Sequence, residues 1–315
     1  MKPTILMAPR MPARLVARLQ ERYEVLGPMS HPRPEALPAG AEAARALLTV
    51  GTWKTDAALI EALPNLGLIA CYGTGNEGVE RAAARARGIM VSNAADANAT
   101  SVAEFAMGLM LASARQIGAA ERFARAGRWQ GNAIERMATV PGLAGRKLGI
   151  FGLGAIGQRI AVRAAAFDMT IGYHNRSPRP ELPYQYHASL LGLAEWADIL
   201  MVSVRASGET RHAIDARILR ALGPDGHLVN ISRGIAVDEA ALIEALESGT
   251  IAGAALDVYE HEPAIPDRLK ALENVVLTPH IAANAESAQV AQQELLLANL
   301  EAFFAGRPLL SPVAL

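Results

Sequence analysis

The chain has 315 residues, a formal net charge of -1 and one cysteine; 51% of it is hydrophobic and 19% charged. This length accommodates about two domains with full cores, and the near-neutral charge supplies no long-range field for nucleic acid or an anionic membrane. Cys71 alone can close neither an internal disulfide nor a cysteine metal cage. The apolar run within residues 1–10 is too short for a signal-peptide core, and nowhere do about 18 apolar residues follow one another. A soluble cytoplasmic protein without nucleic-acid or membrane partners and without a metal is expected. Arg outnumbers Lys 26 to 4 throughout, so the default reading of any Arg is a solvated surface charge.

Through the first hundred residues, short apolar runs at 4–7, 23–26, 46–50, 66–71 and 89–91 predict strands, and helical periodicity fits 13–22, 56–63 and 79–86. This alternation implies a parallel sheet with helices on both faces. A long apolar segment, 99–115, follows Asn98 as a candidate helix cap and has the character of a bridge; its 103–114 face is a candidate dimer contact. A second alternation follows, with strands predicted at 147–151, 170–173, 199–202, 227–231, 252–258 and 275–278 and helices such as 156–167 and 239–248. Six strands with crossover helices is the content of a dinucleotide-binding doubly wound domain. The last helix, 286–304, has no strand after it in that sheet and is expected to return to the first domain. The predicted architecture is therefore α/β with two doubly wound parallel-sheet domains. A flavodoxin-like substrate domain comprises 1–98 and 286–315, and a Rossmann NAD(P)-binding domain comprises 99–285.

The strand 147–151 runs straight into Gly152-Leu153-Gly154-Ala155-Ile156-Gly157 and then a helix. Three glycines at this spacing permit a tight turn, close approach of backbone to a pyrophosphate and tight packing of helix on strand. The pyrophosphate would sit on the helix N-terminus, where unpaired N–H groups and the dipole favour negative charge. About 20 residues further on, the end of the next strand meets the adenosine ribose. Here it reads His174-Asn175-Arg176-Ser177, with no Asp or Glu to repel a 2'-phosphate. Asn175 and Ser177 can donate to phosphate oxygens and Arg176 can hold them bidentately, which favours NADP(H) over NAD(H). A solvated loop Arg is the alternative for Arg176.

Three polar residues fall just beyond the last strands: Arg233 after 227–231, Glu262 after 252–258 and His280 after 275–278. Ligands of a doubly wound sheet bind outside the carboxyl ends of its strands, so all three belong to one crevice. Their chemistry fits reduction of a 2-keto acid. Arg233 can clamp a carboxylate, His280 can give a proton to the carbonyl oxygen near neutral pH, and Glu262 can stabilise the imidazolium, while hydride comes from a nicotinamide.

With these stretches the chain resembles the D-isomer-specific 2-hydroxyacid dehydrogenases over essentially its whole length. The matching segments are Val102-Ala103-Glu104, the glycine turn, Ala197-Asp198-Ile199, Asn230-Ile231-Ser232-Arg233-Gly234, Gly253-Ala254-Ala255-Leu256-Asp257-Val258, Glu262-Pro263 and Thr278-Pro279-His280-Ile281. The resemblance implies that Arg233 binds substrate, that Glu262 pairs with the acid/base His280, and that Asp257 contacts the nicotinamide amide. It also implies that backbone N–H groups at Thr74 and Gly75 hold the substrate carboxylate. Gly152, Gly154, Ala155, Ile156, Gly157, Val204, Arg205, Ile231, Ser232, His280 and Ala282 would lie along the cofactor. Members of the family are generally homodimers. The Asn-Arg-Ser strand end resembles the NADPH-preferring glyoxylate, hydroxypyruvate and hydroxyphenylpyruvate reductases.

Arg205 stands where the family usually has Pro and would add a second cation near the adenosine. Ala282-Ala283 and Asn76-Glu77-Gly78 also depart from the family pattern, which leaves the identity of the keto acid open. Trp53 either lines the substrate pocket or packs in the first domain. Cys71 lacks a His or Asp partner and is read as core. The alternatives are an NAD(H)-using relative with another substrate, a formate- or phosphite-oxidising relative, and a dinucleotide-sensing corepressor-like protein.

Overall fold

The computed structural model describes residues 2–131 and 138–315. They form two compact units, one of residues 1–98 with 285–315 and one of residues 99–284. The second division falls between Asn284 and Ala285, one residue before the sequence-based boundary.

The first unit runs β1 (Thr4–Met7), α1 (Ala13–Arg22), β2 (Glu24–Leu26), β3 (Ala46–Thr49), α2 (Ala57–Glu61), β4 (Leu68–Cys71), α3 (Arg81–Ala86) and β5 (Met90–Ser92). Its five strands are all parallel in the order β2-β1-β3-β4-β5. Every residue of β3 and β4 is buried, as expected of strands covered on both faces. On one face Leu6, Leu47 and Ile69 pack with Leu59, Ile60 and Leu63. On the other, Ile5, Leu48 and Leu68 pack with Leu15 and Leu19 and with Leu296, Leu297 and Leu300 of the last helix. Between β2 and β3 the chain makes two 3-10 turns, Pro34–Ala36 and Ala41–Ala43, which sequence periodicity did not reveal. Cys71 is buried in this core, and loss of water pushes its thiol up to about 12, which leaves it unreactive.

The second unit runs α4 (Ala99–Ala114), α5 (Ile117–Arg125), β6 (Lys147–Phe151), α6 (Ala155–Ala165), β7 (Thr170–His174), β8 (Gln185–Tyr186), α7 (Leu190–Trp196), β9 (Ile199–Val202), α8 (Ala216–Leu222), β10 (His227–Asn230), α9 (Glu239–Glu247), β11 (Gly253–Leu256), α10 (Asp267–Lys270) and β12 (Val275–Leu277). The final helix, α11 (Glu286–Phe304), belongs to the first unit. The sheet is seven-stranded and parallel in the order β12-β11-β10-β9-β6-β7-β8. The sequence indicated six strands; the seventh is the two-residue β8, which pairs at Gly172↔Gln185 and Tyr173↔Tyr186. Helices α4 and α6 cover one face through Val102, Met107, Met110 and Ile160. Residues of α7, α8 and α9 cover the other. Strand order reverses between β6 and β9, which opens the ligand crevice of a doubly wound sheet at that point.

Helix α4 spends its apolar face inside its own unit: Ala103, Ala106, Met107, Met110 and Ala114 are buried where the helix packs on α6, β10 and β11. The expected contact face at 103–114 is thus largely core. On the same helix, Ser113 Oγ lies 2.9 Å from Nδ1 of the buried His227. Burial, and then the nearby Arg146 charge, push the His227 pKa down to about 4 from an ordinary 6.5, against the opposing pull of Asp225. The folded protein therefore holds this ring neutral, whereas the unfolded chain protonates it below about 6.5. The associated stability, on the order of 3 kcal/mol, is intact above about 6.5 and is lost as pH falls towards 4. His227→Gln should flatten the fall of Tm with pH over that window relative to wild type. Parallel Tm curves for the two proteins would show that His227 does not govern it.

Candidate active site

The glycine turn sits at the end of β6 beside the end of β9. Gly152 takes φ +100, and a Cβ there would lie 2.8 Å from the Ser203 carbonyl. Ser203 Oγ donates to Gly152 O at 2.8 Å, and the Gly152 N–H donates to His174 O at 3.0 Å, so the turn is tied to both neighbouring strands. At Gly157 a Cβ would come 2.3 Å from Gly152 O; only glycine lets α6 approach this closely. Gly154 is the N-cap of α6 with open space above its Cα and no side-chain cap, and Ala155 and Ile156 open the helix with no acidic residue in its first turn. A diphosphate fits this uncapped terminus.

Asn175, Arg176 and Ser177 follow β7. Asn175 Oδ1 accepts the Leu153 N–H at 2.7 Å, so this side chain secures the glycine turn with its oxygen and keeps only its amide N–H groups for a ligand. Arg176 is 91% exposed and its Nη1 lies 3.7 Å from Glu209 Oε2. Val204 and Arg205 follow β9; Arg205 is exposed, and its carbonyl accepts from Thr210 Oγ1 at 3.0 Å.

Two of the three strand-end residues, Arg233 and His280, stand in turns that are each held by a polar side chain at the end of an apolar strand. Asn230, 1% exposed at the end of β10, accepts the Ser232 N–H at 3.1 Å and the Ser232 hydroxyl at 2.9 Å, and donates from Nδ2 to Arg233 O at 3.1 Å. Ile231 and Ser232 are buried in this turn. Arg233 Nη1 donates to Ser232 O at 2.8 Å. The next residue, Gly234, lies so close to the chain after β11 that a Cβ would meet the Tyr259 carbonyl carbon at 1.9 Å and Glu260 N at 2.4 Å. That contact brings the Arg233 turn against the Glu262 turn.

Asp257, fully buried at the end of β11, accepts the Thr278 hydroxyl at 2.6 Å and the Ile281 N–H at 2.9 Å on Oδ1, and the Ala282 N–H at 2.8 Å on Oδ2. These bonds fold the chain after β12 so that His280 takes φ +54, a left-handed conformation that non-glycine residues adopt where the surroundings enforce it. Ala282 is buried, and its carbonyl accepts from Ser101 Oγ at 2.9 Å. His280 Nδ1 lies 2.7 Å from Glu262 Oε2, and Glu262 Oε1 accepts the Tyr259 N–H at 3.1 Å. The two side chains are 40% and 31% exposed. Partial burial raises the Glu262 pKa, but the bond and charge of His280, the Tyr259 N–H and the Arg233 charge outweigh it and hold the carboxyl below its usual value. Glu262 is thus an anion at neutral pH. With Nδ1 taken by Glu262, Nε2 is the ring nitrogen left for a ligand.

In the first unit, Thr74 O accepts from Asn93 Nδ2 at 2.6 Å and Thr74 Oγ1 donates to Asn98 Oδ1 at 3.1 Å. Gly75 lies against Gly51, where a Cβ would come 2.6 Å from the Gly75 carbonyl carbon. Trp53 packs on the core of this unit, and its Nε1 is shielded from solvent with no hydrogen-bond partner. Among the described residues no group of His, Cys, Asp and Glu could hold a metal ion, and no helix is long and apolar enough to cross a membrane.

A doubly wound sheet with a glycine turn at its switch point and an Arg, Glu and His at its strand ends defines a dinucleotide-dependent oxidoreductase. The family described as D-isomer specific 2-hydroxyacid dehydrogenase, NAD binding domain, matches residues 107–282. The chain is 37% identical over 310 residues to a glyoxylate/hydroxypyruvate reductase A of Arabidopsis thaliana, with 98% of each chain covered. It is 38% identical over 310 residues to a hydroxyphenylpyruvate reductase of Plectranthus scutellarioides, again with 98% of each covered. Among solved structures it is similar to the NADPH-dependent glyoxylate/hydroxypyruvate reductase of Sinorhizobium meliloti in complex with NADP and malonate. That match has a TM-score of 0.92 and 39% identity, covering 100% of this chain and 97% of the other. The chain belongs to the D-isomer-specific 2-hydroxyacid dehydrogenase family.

Sequence reasoning missed Asn230 as the brace of the Arg233 turn and Asp257 as the brace of the His280 turn. The available signal was a polar residue closing an otherwise buried apolar strand. Gly234→Ala should lower stability by about 2 kcal/mol or more, because the atoms it would strike are backbone and cannot rotate away. Tm and urea midpoint measure this; wild-type stability in the variant would mean that the two turns are not in the contact described.

Proposed function

We propose that the protein reduces a small 2-keto acid of the glyoxylate or hydroxypyruvate kind to the D-2-hydroxy acid, using NADPH. The observation that carries this reading is the 2.7 Å contact between His280 Nδ1 and an anionic Glu262. Glu262 stabilises the imidazolium and fixes the tautomer, and His280 then delivers the Nε2 proton to the carbonyl oxygen. Arg233 holds the substrate carboxylate, as do the backbone N–H groups of Thr74 and Gly75, and Trp53 borders the substrate. A nicotinamide held in this crevice would supply the hydride for C2 of the substrate. Hydride on carbon and proton on oxygen together complete the alcohol.

Gly152, Gly154, Ala155, Ile156 and Gly157 hold the diphosphate; Asn175, Arg176, Ser177 and Arg205 meet the 2'-phosphate. Val204, Ile231, Ser232, Asp257 and Ala282 border the rest of the dinucleotide. The similarity to the NADPH-dependent reductase of Sinorhizobium meliloti and the lack of an acidic residue directly after β7 support the NADPH preference. We further propose a cytoplasmic homodimer. The exposure of Ile117 and Trp129 beyond α4 supports a surface that is covered in an assembly.

Turnover of glyoxylate, hydroxypyruvate, phenylpyruvate and 2-ketogluconate with each cofactor tests substrate class and cofactor together; inactivity on all four would reject the proposal. His280→Ala should abolish reduction while NADPH still binds, and a variant retaining near-normal rates would remove His280 from the mechanism. Arg176→Asp should shift the preference towards NADH by about tenfold or more, read as the ratio of kcat/KM for the two cofactors; an unchanged ratio would free Arg176 of that role.

A further inference from the structure

His212 stands in the chain between β9 and α8 at φ +48, left-handed like Gln116, Asp168 and His280 in the same unit. Its Nε2 lies 2.7 Å from Glu260 Oε1, and Arg211 Nη2 reaches the same oxygen at 3.4 Å. The Glu260 side chain is only 14% exposed and His212 34%. The Glu260 N–H donates to Glu239 Oε2 at 3.3 Å, and its backbone is the surface on which Gly234 packs. Burial raises the Glu239 pKa, with the Glu260 charge adding to the rise, against the Glu260 N–H and the His261 charge.

The backbone around His212 is bound to a different loop. The His212 N–H donates to Ile235 O at 2.8 Å, the Ile214 N–H donates to Ala236 O at 3.0 Å, and the Asp238 N–H returns to Ile214 O at 2.9 Å. The segment 212–214 is therefore hydrogen-bonded through its main chain to the loop that begins at Arg233. Through one imidazole it is bonded to the turn that ends in Glu262. Glu260 lies two residues before Glu262, and its carboxylate is the only part of that turn, among the described residues, that a side chain of the 205–214 loop holds.

We propose that His212 and Glu260 are positioning residues for the reduction: their hydrogen bond sets the distance between Arg233 and the Glu262–His280 pair. Arg233 must meet the carboxylate of a 2-keto acid while His280 meets the adjacent carbonyl oxygen, so that distance is fixed by the shortest substrate of the class. A displacement of about 1 Å in such an arrangement lowers rate by as much as about 100-fold. Neither His212 nor Glu260 contacts the reacting atoms. The inference rests on the reading that Arg233, Glu262 and His280 carry the reaction.

The test uses the full chain with NADPH and glyoxylate, or with whichever keto acid the turnover panel identifies. The proteins are wild type, His212→Phe, Glu260→Met, the double variant, Glu260→Gln and, as reference, His280→Ala. His212→Phe and Glu260→Met keep bulk but remove the bond, and each should lower kcat/KM for the keto acid by about tenfold. The dissociation constant for NADPH, read by fluorescence titration, should stay within about twofold of wild type, and the double variant should be no worse than the poorer single one. Glu260→Gln retains an acceptor for the His212 N–H and should keep about half or more of the wild-type value. Unchanged kcat/KM in both single variants, losses that multiply in the double variant, or a Glu260→Gln as impaired as Glu260→Met would each overturn the proposal. A variant that does not fold is replaced by the other single variant, read against Glu260→Gln. Near-normal turnover in His280→Ala overturns the catalytic reading itself; an inactive His280→Ala beside normal His212 and Glu260 variants overturns the positioning role alone.

Discussion

The carboxylate of Asp257 is buried completely, and everything proposed for His280 depends on how that charge is accommodated. A carboxylate removed from water is tolerated only where hydrogen bonds replace its hydration. Here the replacements are the Thr278 hydroxyl and the N–H groups of Ile281 and Ala282, donors that flank His280 on both sides. Satisfying Asp257 therefore requires the chain to wrap around it, and the wrap forces His280 into its left-handed backbone and sends its ring out towards Glu262. The Ser101 hydroxyl on Ala282 O ties the far side of the wrap to α4. Structure and chemistry meet in one constraint, because the residue that solves the electrostatic problem in the core also aims the proton donor.

Asn230 acts in the same way one strand over, turning the chain at Ser232 and Arg233, and Asn175 does so for the glycine turn through Leu153. Three polar side chains at the ends of buried strands thus set three loops, and the close approach of Gly234 to Tyr259 joins one of them, the Arg233 turn, to the Glu262 turn. The loops owe their shape to the sheet edge beneath them rather than to propensities of their own.

Most strands were legible because β3, β4, β9, β10 and β11 are buried on both faces and read as unbroken apolar runs. The two-residue β8 was not, since Gln185 and Tyr186 carry neither an apolar run nor an alternation long enough to count. Arg233 and His280 stood out because each stands three residues beyond a strand, and Glu262 because it closes the short stretch that follows β11. The bond between His212 and Glu260 spans 48 positions and depends on the path of two loops, which no local pattern encodes. The reading of Arg as a surface charge also had a limit. Arg146 is buried and gives Nη2 to the carbonyls of Asp198 and Asp225, and Arg87 binds the carbonyls of Ile60, Leu63 and Pro64. Both staple chain segments together, a role set by tertiary neighbours.

The return of α11 to the first unit has a consequence for how the molecule comes into being. Residues 99–284 form a contiguous unit, whereas the first unit needs Leu296, Leu297 and Leu300 to complete one face of its sheet. It also needs the bonds from Asn299 to Ser311, Ser311 to Asn93 and Val313 to Val91. During synthesis the strands β1 to β5 are made first, yet they must wait for residues 285–315 before that face is covered. The middle of the chain, with the His280 turn near its end, has every partner it needs before then. Vectorial synthesis therefore reverses the order of the map: the segment made second is the first that can finish folding, while the early sheet carries an open apolar face until α11 is made.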